Sequence, residues 1–374
     1  MKIDLTAEQK ETQAAFRAFV EAEIAPNAHC YEQEQRLPAD LIVKLAEQGY
    51  FGAVLPKAYG GQEMDMITYG VLNEELARGS SSVRGLVMLQ NMIGYTIQRW
   101  GNDAQKDRWL AKIAAGEVIT SLALTEPEAG TDLKEVGTTA TLDGDTYILN
   151  GYKQWISLGQ ISHLFLVLGQ YQGRLCAFLV ERETPGFSTK PMSDLSGLRA
   201  TMLAEISMKD CRVPQENLVG AVGFGLAPVA FAALNLGRYS IAWGCVGIAQ
   251  ACLDACLEHT STRKQSGVYL KEHQLIRHMI TDMIVNVKAA RLLCFQAGYL
   301  TDARDANSFV ETMVAKYFAS TTATRTANDA VQIHGAIGFQ ESHPVQRHLR
   351  DAKIMEMIEG TTQIHQVKIA EYSY

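Results

Sequence analysis

Val118-Ile119-Thr120-Ser121-Leu122-Ala123-Leu124, running into Thr125-Glu126-Pro127-Glu128-Ala129-Gly130-Thr131-Asp132, is where the chain changes character. The first seven residues are mostly apolar and partly β-branched, as a strand favours; the next eight carry the proline, glycine, aspartate and hydroxyls of a turn. Upstream, apolar residues recur at helical spacing from Leu5 to about residue 118, as in Phe16, Phe19, Val20 and Ile24 or Leu41, Leu45 and Phe51. Residues 1–118 therefore read as a helical domain. It opens on Thr6-Ala7-Glu8-Gln9, a capping box in which hydroxyl and amide satisfy each other's orphan backbone N–H groups. Pro56, Gly60 and Gly61 break the pattern between helices. Downstream come short strand-like runs, Thr146–Leu149, Leu164–Leu168 and Leu175–Val180, separated by turns such as Leu142-Asp143-Gly144-Asp145 and Glu183-Thr184-Pro185-Gly186. Residues 119–222 thus read as a compact β domain, a barrel or sandwich. After a glycine-rich hinge, Gly220-Ala221-Val222-Gly223-Phe224-Gly225, helical spacing returns at about 227–258, 271–302, 306–335 and 361–372. Residues 223–374 are expected to form a four-helix bundle. Helices, then strands, then helices define an α+β multi-domain chain, not an alternating βαβ fold.

Composition narrows the function. The 374 residues carry 34 Lys+Arg against 41 Asp+Glu, a formal charge of −7, which offers no electrostatic footprint for nucleic acid. At 47% hydrophobic and 20% charged the chain belongs with globular proteins rather than disordered or fibrous ones. No run of about 18 uninterrupted apolar residues suggests a membrane span. MKIDLTAEQKETQAAF lacks the basic-then-apolar layout of a secretory signal and the character of a transit peptide. Seven cysteines without a CxxC, mostly in apolar runs, read as reduced core thiols and point to the cytoplasm.

Several chemistries lack their residues. Cys252, Cys256 and His259 share a helix face, but no fourth ligand lies near in sequence, so no metal site is expected. The glycine stretches at 220–225 and 335–338 fit neither a Rossmann fingerprint nor a P-loop, and no GxSxG elbow occurs. Three segments stay open. The 123–132 turn has N–H and O–H donors suited to a polar ligand, and equally the make-up of a surface turn. Trp155, in Gly151-Tyr152-Lys153-Gln154-Trp155-Ile156-Ser157, suits a planar cofactor or a core. In Met355-Glu356-Met357-Ile358-Glu359-Gly360-Thr361-Thr362-Gln363 a carboxylate stands among Met and Ile, either as a base made usable by burial or as a solvated residue at a helix end.

Together these segments resemble the acyl-CoA dehydrogenase family over almost the whole chain. Thr125 to Asp132 looks like its Thr-Glu-Pro-x-Ala-Gly-Ser/Thr-Asp turn, and Trp155 to Ser157 like its Trp-Ile-Thr/Ser segment. Arg263-Lys264-Gln265-Ser266-Gly267 with Glu272-His273-Gln274 is similar to its Arg-Lys-x-Phe-Gly region, and Gln332–Gly338 and Glu359–Gln363 to its two C-terminal motifs. The resemblance implies FAD in the cleft between the β domain and the C-terminal bundle. Leu122, Thr125, Gly130, Thr131, Trp155 and Ser157 would surround the flavin ring. Arg263, Gln265, His273, Gln274, Gln332, Gly335 and Ala336 would contact the FAD tail, partly across a subunit interface, so a homo-oligomer, dimer or tetramer, is implied. Thr361 and Gln363 would close on the adenine side. Thr131, Asn235, Arg238 and Gly360 would bind substrate, and Glu359 stands where the family's base stands. The implied reaction removes the proton α to a thioester carbonyl at Glu359 while the β-hydrogen leaves as hydride to flavin N5; enolate charge is met by the base residue's N–H and a flavin ribose hydroxyl. An electron-transfer flavoprotein or oxygen would take the electrons.

Three departures concern substrate rather than flavin: Ser266 for the usual Phe, Ala336 for the second Gly, and Asn235 for an Asp near the pantetheine arm. Residues 237–247 and 351–356 look most like the branch of polyketide and nonribosomal peptide pathways that acts on acyl carrier protein thioesters and includes enzymes of hydroxymalonyl- and methoxymalonyl-type extender units. The competing readings are a catabolic short-chain acyl-CoA dehydrogenase, an oxygen-using flavin oxidase or monooxygenase, and a catalytically silent flavoprotein or helical binding module.

Overall fold

The computed structural model describes residues 4–372 and 374. Met1, Lys2 and Ile3, on which part of the N-terminal reading rests, lie outside them. Six helices come first: α1 (Ala7–Phe19), α2 (Ala28–Glu34), α3 (Ala39–Glu47), α4 (Met66–Gly79), α5 (Ser81–Trp100) and α6 (Asp103–Ala114). The capping box starts α1 as expected, with Gln9 N–H donating to Thr6 Oγ1 at 3.2 Å and Thr6 N–H to Gln9 Oε1 at 3.0 Å. Every residue of α5 from Ser81 to Gly94 is buried, so this helix is enclosed on all sides.

The middle of the chain forms one mixed sheet from β1 (Thr120–Ala123), β2 (Thr139–Asp143), β3 (Thr146–Ile156), β4 (Leu164–Tyr171), β5 (Arg174–Glu181), β6 (Phe187–Pro191), β7 (Ala204–Pro214) and β8 (Leu218–Val219). The order is β6-β7-β3-β2-β4-β5-β8, with β1 parallel beside β4. Leu149 and Tyr147 of β3, Ile206 and Met208 of β7, Phe165 of β4 and Phe178 of β5 meet in one cluster. The sheet therefore curls over its own core, which is the physical content of the barrel-like expectation.

Beyond it lie α7 (Phe231–Thr262), a hairpin of β9 (Lys264–Gln265) and β10 (Val268–Tyr269), α8 (Gln274–Asp302), α9 (Ser308–His334), α10 (Pro344–Met355) and α11 (Thr362–Glu371). The expected fourth bundle helix at 361–372 is the short α11, packed on α9; α10, unread in the sequence, packs on both α7 and α9. The segment read as a hinge is instead pressed onto β5: a Cβ on Gly225 would stand 2.5 Å from Cys176 backbone atoms. Among the described residues Gly225–Thr262 alone is long and apolar enough to pass as a membrane span (mean hydropathy 1.4 over its most apolar stretch), but 72% of that stretch is buried inside the fold, as a core helix should be. All seven cysteines are free thiols, six of them buried and Cys30 exposed. Cys252 and Cys256 point into the main core, while His259 instead stacks on His334 at 4.5 Å.

Candidate functional site

The site is built where the bend after α10 meets the first turns of α7. Glu359 and Gly360 both have positive φ, 56° and 102°. For a glutamate this costs on the order of 1–3 kcal/mol, so something must hold it. Two cations do. Arg238 of α7 donates its Nε–H to the Glu359 carbonyl at 2.9 Å, and Lys316 of α9 donates from Nζ to the Gly360 carbonyl at 2.8 Å. On the far side Thr361 caps α11, its Oγ1 accepting from Ile364 N–H at 3.3 Å. That capping bond uses one lone pair of the hydroxyl expected on the adenine side and leaves its O–H to donate, while Gln363 next to it is exposed.

The Glu359 side chain fits against α7 because residue 237 is glycine: a Cβ there would be 3.0 Å from Glu359 Cδ and Oε2, and 3.0 Å from Met92 Cε of α5. Glu359 is half-buried as a residue, yet its Oε2 is sealed from solvent with no hydrogen-bond partner. Burial pushes the carboxyl up to about 7, against the opposing pull of Arg238, Lys316 and Arg84. A carboxylate that titrates there is partly ionised at neutral pH and basic enough to take a proton. Beneath it His365, buried and unpaired at both ring nitrogens, is pulled down to about 3 by burial and by Lys316 and Arg238, so it is neutral.

The turn after β1 is carried to the same place. Leu124, Ala129 and Val136 pack on Ala230 and Leu234 at the start of α7, one residue before Asn235. Gln154 N–H donates to the Thr125 carbonyl at 3.0 Å, tying the Trp155 segment to that turn, and Ser121 Oγ donates to the Ser157 carbonyl at 2.7 Å. Trp155 has φ 60° and is 52% exposed, an indole turned out of the sheet rather than into a core. Gly130 and Thr131 are exposed beside it, Leu122 is half-buried, and Asn235 Oδ1 is buried without a partner. A buried ion pair fixes the turn: Lys153 Nζ donates to Glu126 Oε1 at 2.7 Å and to the Leu124 carbonyl at 3.0 Å, while Glu126 also accepts from Gly137 N–H at 2.6 Å and Thr138 N–H at 3.0 Å.

The remaining candidates gather elsewhere. His273 Nε2 lies 3.4 Å from the Gln265 carbonyl, and Ser266 (φ 51°) and Gly267 (φ 85°) make the two-residue turn between β9 and β10. The ring of His334 at the end of α9 stacks on His259 in the last turn of α7, which brings Gln332, Gly335 and Ala336 beside Arg263. Arg238 and Arg263 are 25 residues apart along α7; at a rise of about 1.5 Å per residue this second group stands roughly 37 Å from the first.

The sequence reading missed four participants: Gly237, Lys316, the partnering of Glu126 by Lys153, and Arg84. Arg84 is buried on α5 and donates to Ser240 Oγ at 2.9 Å and Met88 Sδ at 3.2 Å, with no hydrogen-bond partner at Nε and no carboxylate among its polar contacts. An arginine inside Val83-Arg84-Gly85-Leu86-Val87-Met88 is the one signal that could have found it.

The residues present suit FAD. Trp155 offers an exposed indole face for a planar ring, tied through Gln154 to the turn that carries the exposed Gly130 and Thr131. The helix–sheet–helix order, the exposed indole and the sealed carboxylate fit a flavin-dependent dehydrogenase. The acyl-CoA dehydrogenase N-terminal, middle and C-terminal domain families match residues 6–117, 121–211 and 225–373, and the chain belongs to the acyl-CoA dehydrogenase family, whose cofactor is FAD. It is 35% identical over 381 residues to glutaryl-CoA dehydrogenase of Desulfococcus multivorans, covering 99% of this chain and 97% of that one. Among solved structures, a glutaryl-CoA dehydrogenase of Mycobacterium smegmatis in complex with FADH2 superposes with TM-score 0.95 at 27% identity, over 99% of this chain and 95% of the other. FkbI, of methoxymalonyl extender-unit biosynthesis, gives 0.88 at 30% over 96% and 98%; AnaB, a prolyl acyl carrier protein oxidase, gives 0.92 at 27% over 99% and 100%.

Proposed function

We propose that Glu359 is the base of an acyl-thioester dehydrogenation and that the acyl group is small, polar at its far end and carried by an acyl carrier protein. The observation that carries the first part is the sealed carboxylate beside Gly237, able to accept a proton near neutral pH. Bound FAD supplies the hydride acceptor, at N5. The chain's part is to hold the flavin ring at Trp155, to seat the thioester against the 359–360 bend, to exclude water and to hold the Cα–H against Glu359. As the α-proton moves onto Glu359, negative charge grows on the thioester oxygen, and the backbone N–H of Glu359 would donate to it, as the family resemblance implies.

Arg84 supports a polar acyl end of the hydroxymalonyl or methoxymalonyl type. Its guanidinium contacts Met88 and Ser240, each about one helical turn from the Met92–Gly237 contact that walls the base. An anionic or hydroxylated group there gains a charge-assisted partner that a plain alkyl end cannot use. FkbI and AnaB support the carrier-protein reading; glutaryl-CoA dehydrogenase favours CoA. We assign Leu122, Thr125, Gly130, Thr131, Trp155 and Ser157 to the flavin, Thr131, Asn235, Arg238 and Gly360 to substrate, and the group from Arg263 to Ala336, with Thr361 and Gln363, to the FAD tail. Because the Arg263–Ala336 group is a helix-length away from Glu359, whereas Thr361 and Gln363 are next to it, the tail contacts from Arg263 to Ala336 come from a second copy of the chain, making the enzyme a homo-oligomer. Domain limits at 118/119 and 222/223, a cytoplasmic location, and an electron-transfer flavoprotein or oxygen as acceptor complete the reading.

Anaerobic mixing of the enzyme with one small acyl group, on carrier protein or on CoA, tests it. Loss of the visible flavin band with the carrier-protein form alone is the expected result. Equal bleaching with CoA returns the enzyme to short-chain catabolism, stoichiometric peroxide in air marks an oxidase or monooxygenase, and protein unable to take up FAD revives the silent or binding-module reading.

A further inference from the structure

Lys316 has no exposed surface, and no carboxylate side chain lies within ion-pair distance of it among the described residues. Its ammonium is spent on two backbone carbonyls, Gly360 at 2.8 Å and Glu356 at 3.5 Å. Burying an ammonium costs far more than burying a neutral donor, and a glutamine or serine could make the same bonds to carbonyls. The charge itself therefore needs a reason, and the unpaired Glu359 carboxylate on the same bend provides one. We propose that Lys316 is a positioning residue for the base: held against the Gly360 carbonyl, it fixes the left-handed 359–360 bend and supplies the positive charge that keeps the Glu359 carboxylate ionised at working pH. This rests on Glu359 being the base.

The titratable and charged groups around the pair come from every element packed on it. Arg238 and Cys245 face it from α7, Arg84 from α5, neutral His365 from α11, and Glu356 from the end of α10. Burial and the Arg238 charge pull the Lys316 ammonium down to about 8, with the carboxylates of Glu359 and Glu356 pulling the other way and the Cys245 thiol beside it neutral, so it is still charged where Glu359 titrates. Arg238 acts in the same direction as Lys316 on the carboxylate but holds the Glu359 carbonyl, one peptide earlier. The bend is thus pinned at two successive carbonyls by two cations from two helices.

Four variants test this in the FAD-loaded enzyme: Lys316→Gln, which keeps the donor and loses the charge; Lys316→Met, which loses both; Lys316→Arg, which keeps both; and Glu359→Gln. The readouts are the acid limb of the anaerobic flavin-reduction rate and, without substrate, the pH at which the carboxylic-acid infrared band absent from E359Q disappears. In K316Q both are expected to move to higher pH by about one unit, with the high-pH rate within a few-fold of the parent. K316M should show the same shift and a lower plateau, and K316R neither. An unmoved limb and infrared midpoint in K316Q overturns the proposal, as does a K316R that shifts like K316Q; K316Q and K316R decide the matter should K316M not fold. Persistent flavin reduction in E359Q would instead defeat the assignment of the base.

Discussion

Replacing Gly237 with alanine separates stability from catalysis at a single methyl group. Residue 237 lies within α7, where alanine is favoured over glycine by about 1 kcal/mol. The new Cβ would land 3.0 Å from Glu359 Cδ and Oε2 and from Met92 Cε. Carbon contacts become comfortable near 3.5 Å, so the neighbours must retreat by about 0.5 Å. Met92 can do so at its flexible end. The carboxylate moves less freely, because the peptides on either side of the bend are bonded to Arg238 and Lys316, and so it is turned away from the α-carbon it must reach. A misplacement approaching 1 Å costs up to about a hundredfold in rate, and we expect a ten- to hundredfold loss for Gly237→Ala. Stopped-flow flavin reduction gives the rate; FAD absorbance and a thermal melt give the fold. Expected are full FAD content, a melting temperature unchanged or higher, and the slowed reduction. Reduction at the parent rate in a folded G237A would refute the close packing of the base on α7.

Three other outcomes follow from the same geometry. A carboxyl raised from 4.5 to about 7 by folding binds its proton more tightly in the native state, so its contribution to stability is complete below about pH 4.5 and is lost as pH rises through 7. Glu359→Gln should therefore exceed the parent in unfolding free energy by about 3 kcal/mol at pH 8, the difference vanishing near pH 4, as read by urea unfolding at both. Lys153→Met strands the Glu126 carboxylate and should cost about 3–5 kcal/mol, with proteolytic nicking within 125–138; a melt within a degree of the parent counts against the buried pair. Arg84→Met should leave FAD content intact while raising KM for a carboxylate-ended acyl thioester at least tenfold and for a plain alkyl one hardly at all; equal effects on both would remove Arg84 from the acyl pocket.

The sequence was legible where local pattern and local chemistry agree. The capping box at Thr6, the helical spacing of the first third and the β1 run before Thr125 all became what they suggested. β7 was not legible because a bulge interrupts its alternation: Ala204, Ile206 and Met208 face the core, then Asp210 at φ 49° resets the phase so that Cys211 and Val213 do. α10 escaped because Arg347, His348, Arg350, Asp351 and Lys353 crowd its sequence, and only its packing on α7 and α9 reveals which of them are inside. Glu359 could be read from its motif. Arg84 had a single signal, the apolar run around it; Lys316 and Gly237 had none, since a buried cation in a helix looks like a solvated one until its surroundings are known, and a glycine's empty side is visible only once the carboxylate that fills it is in place.

The central claim is that Glu359 takes the substrate's proton. It is tested most directly by anaerobic single-turnover mixing of FAD-loaded parent and E359Q with the same acyl thioester. Bleaching of the parent and an unreduced, still FAD-bound E359Q is the predicted result; an E359Q flavin that bleaches at the parent rate contradicts it.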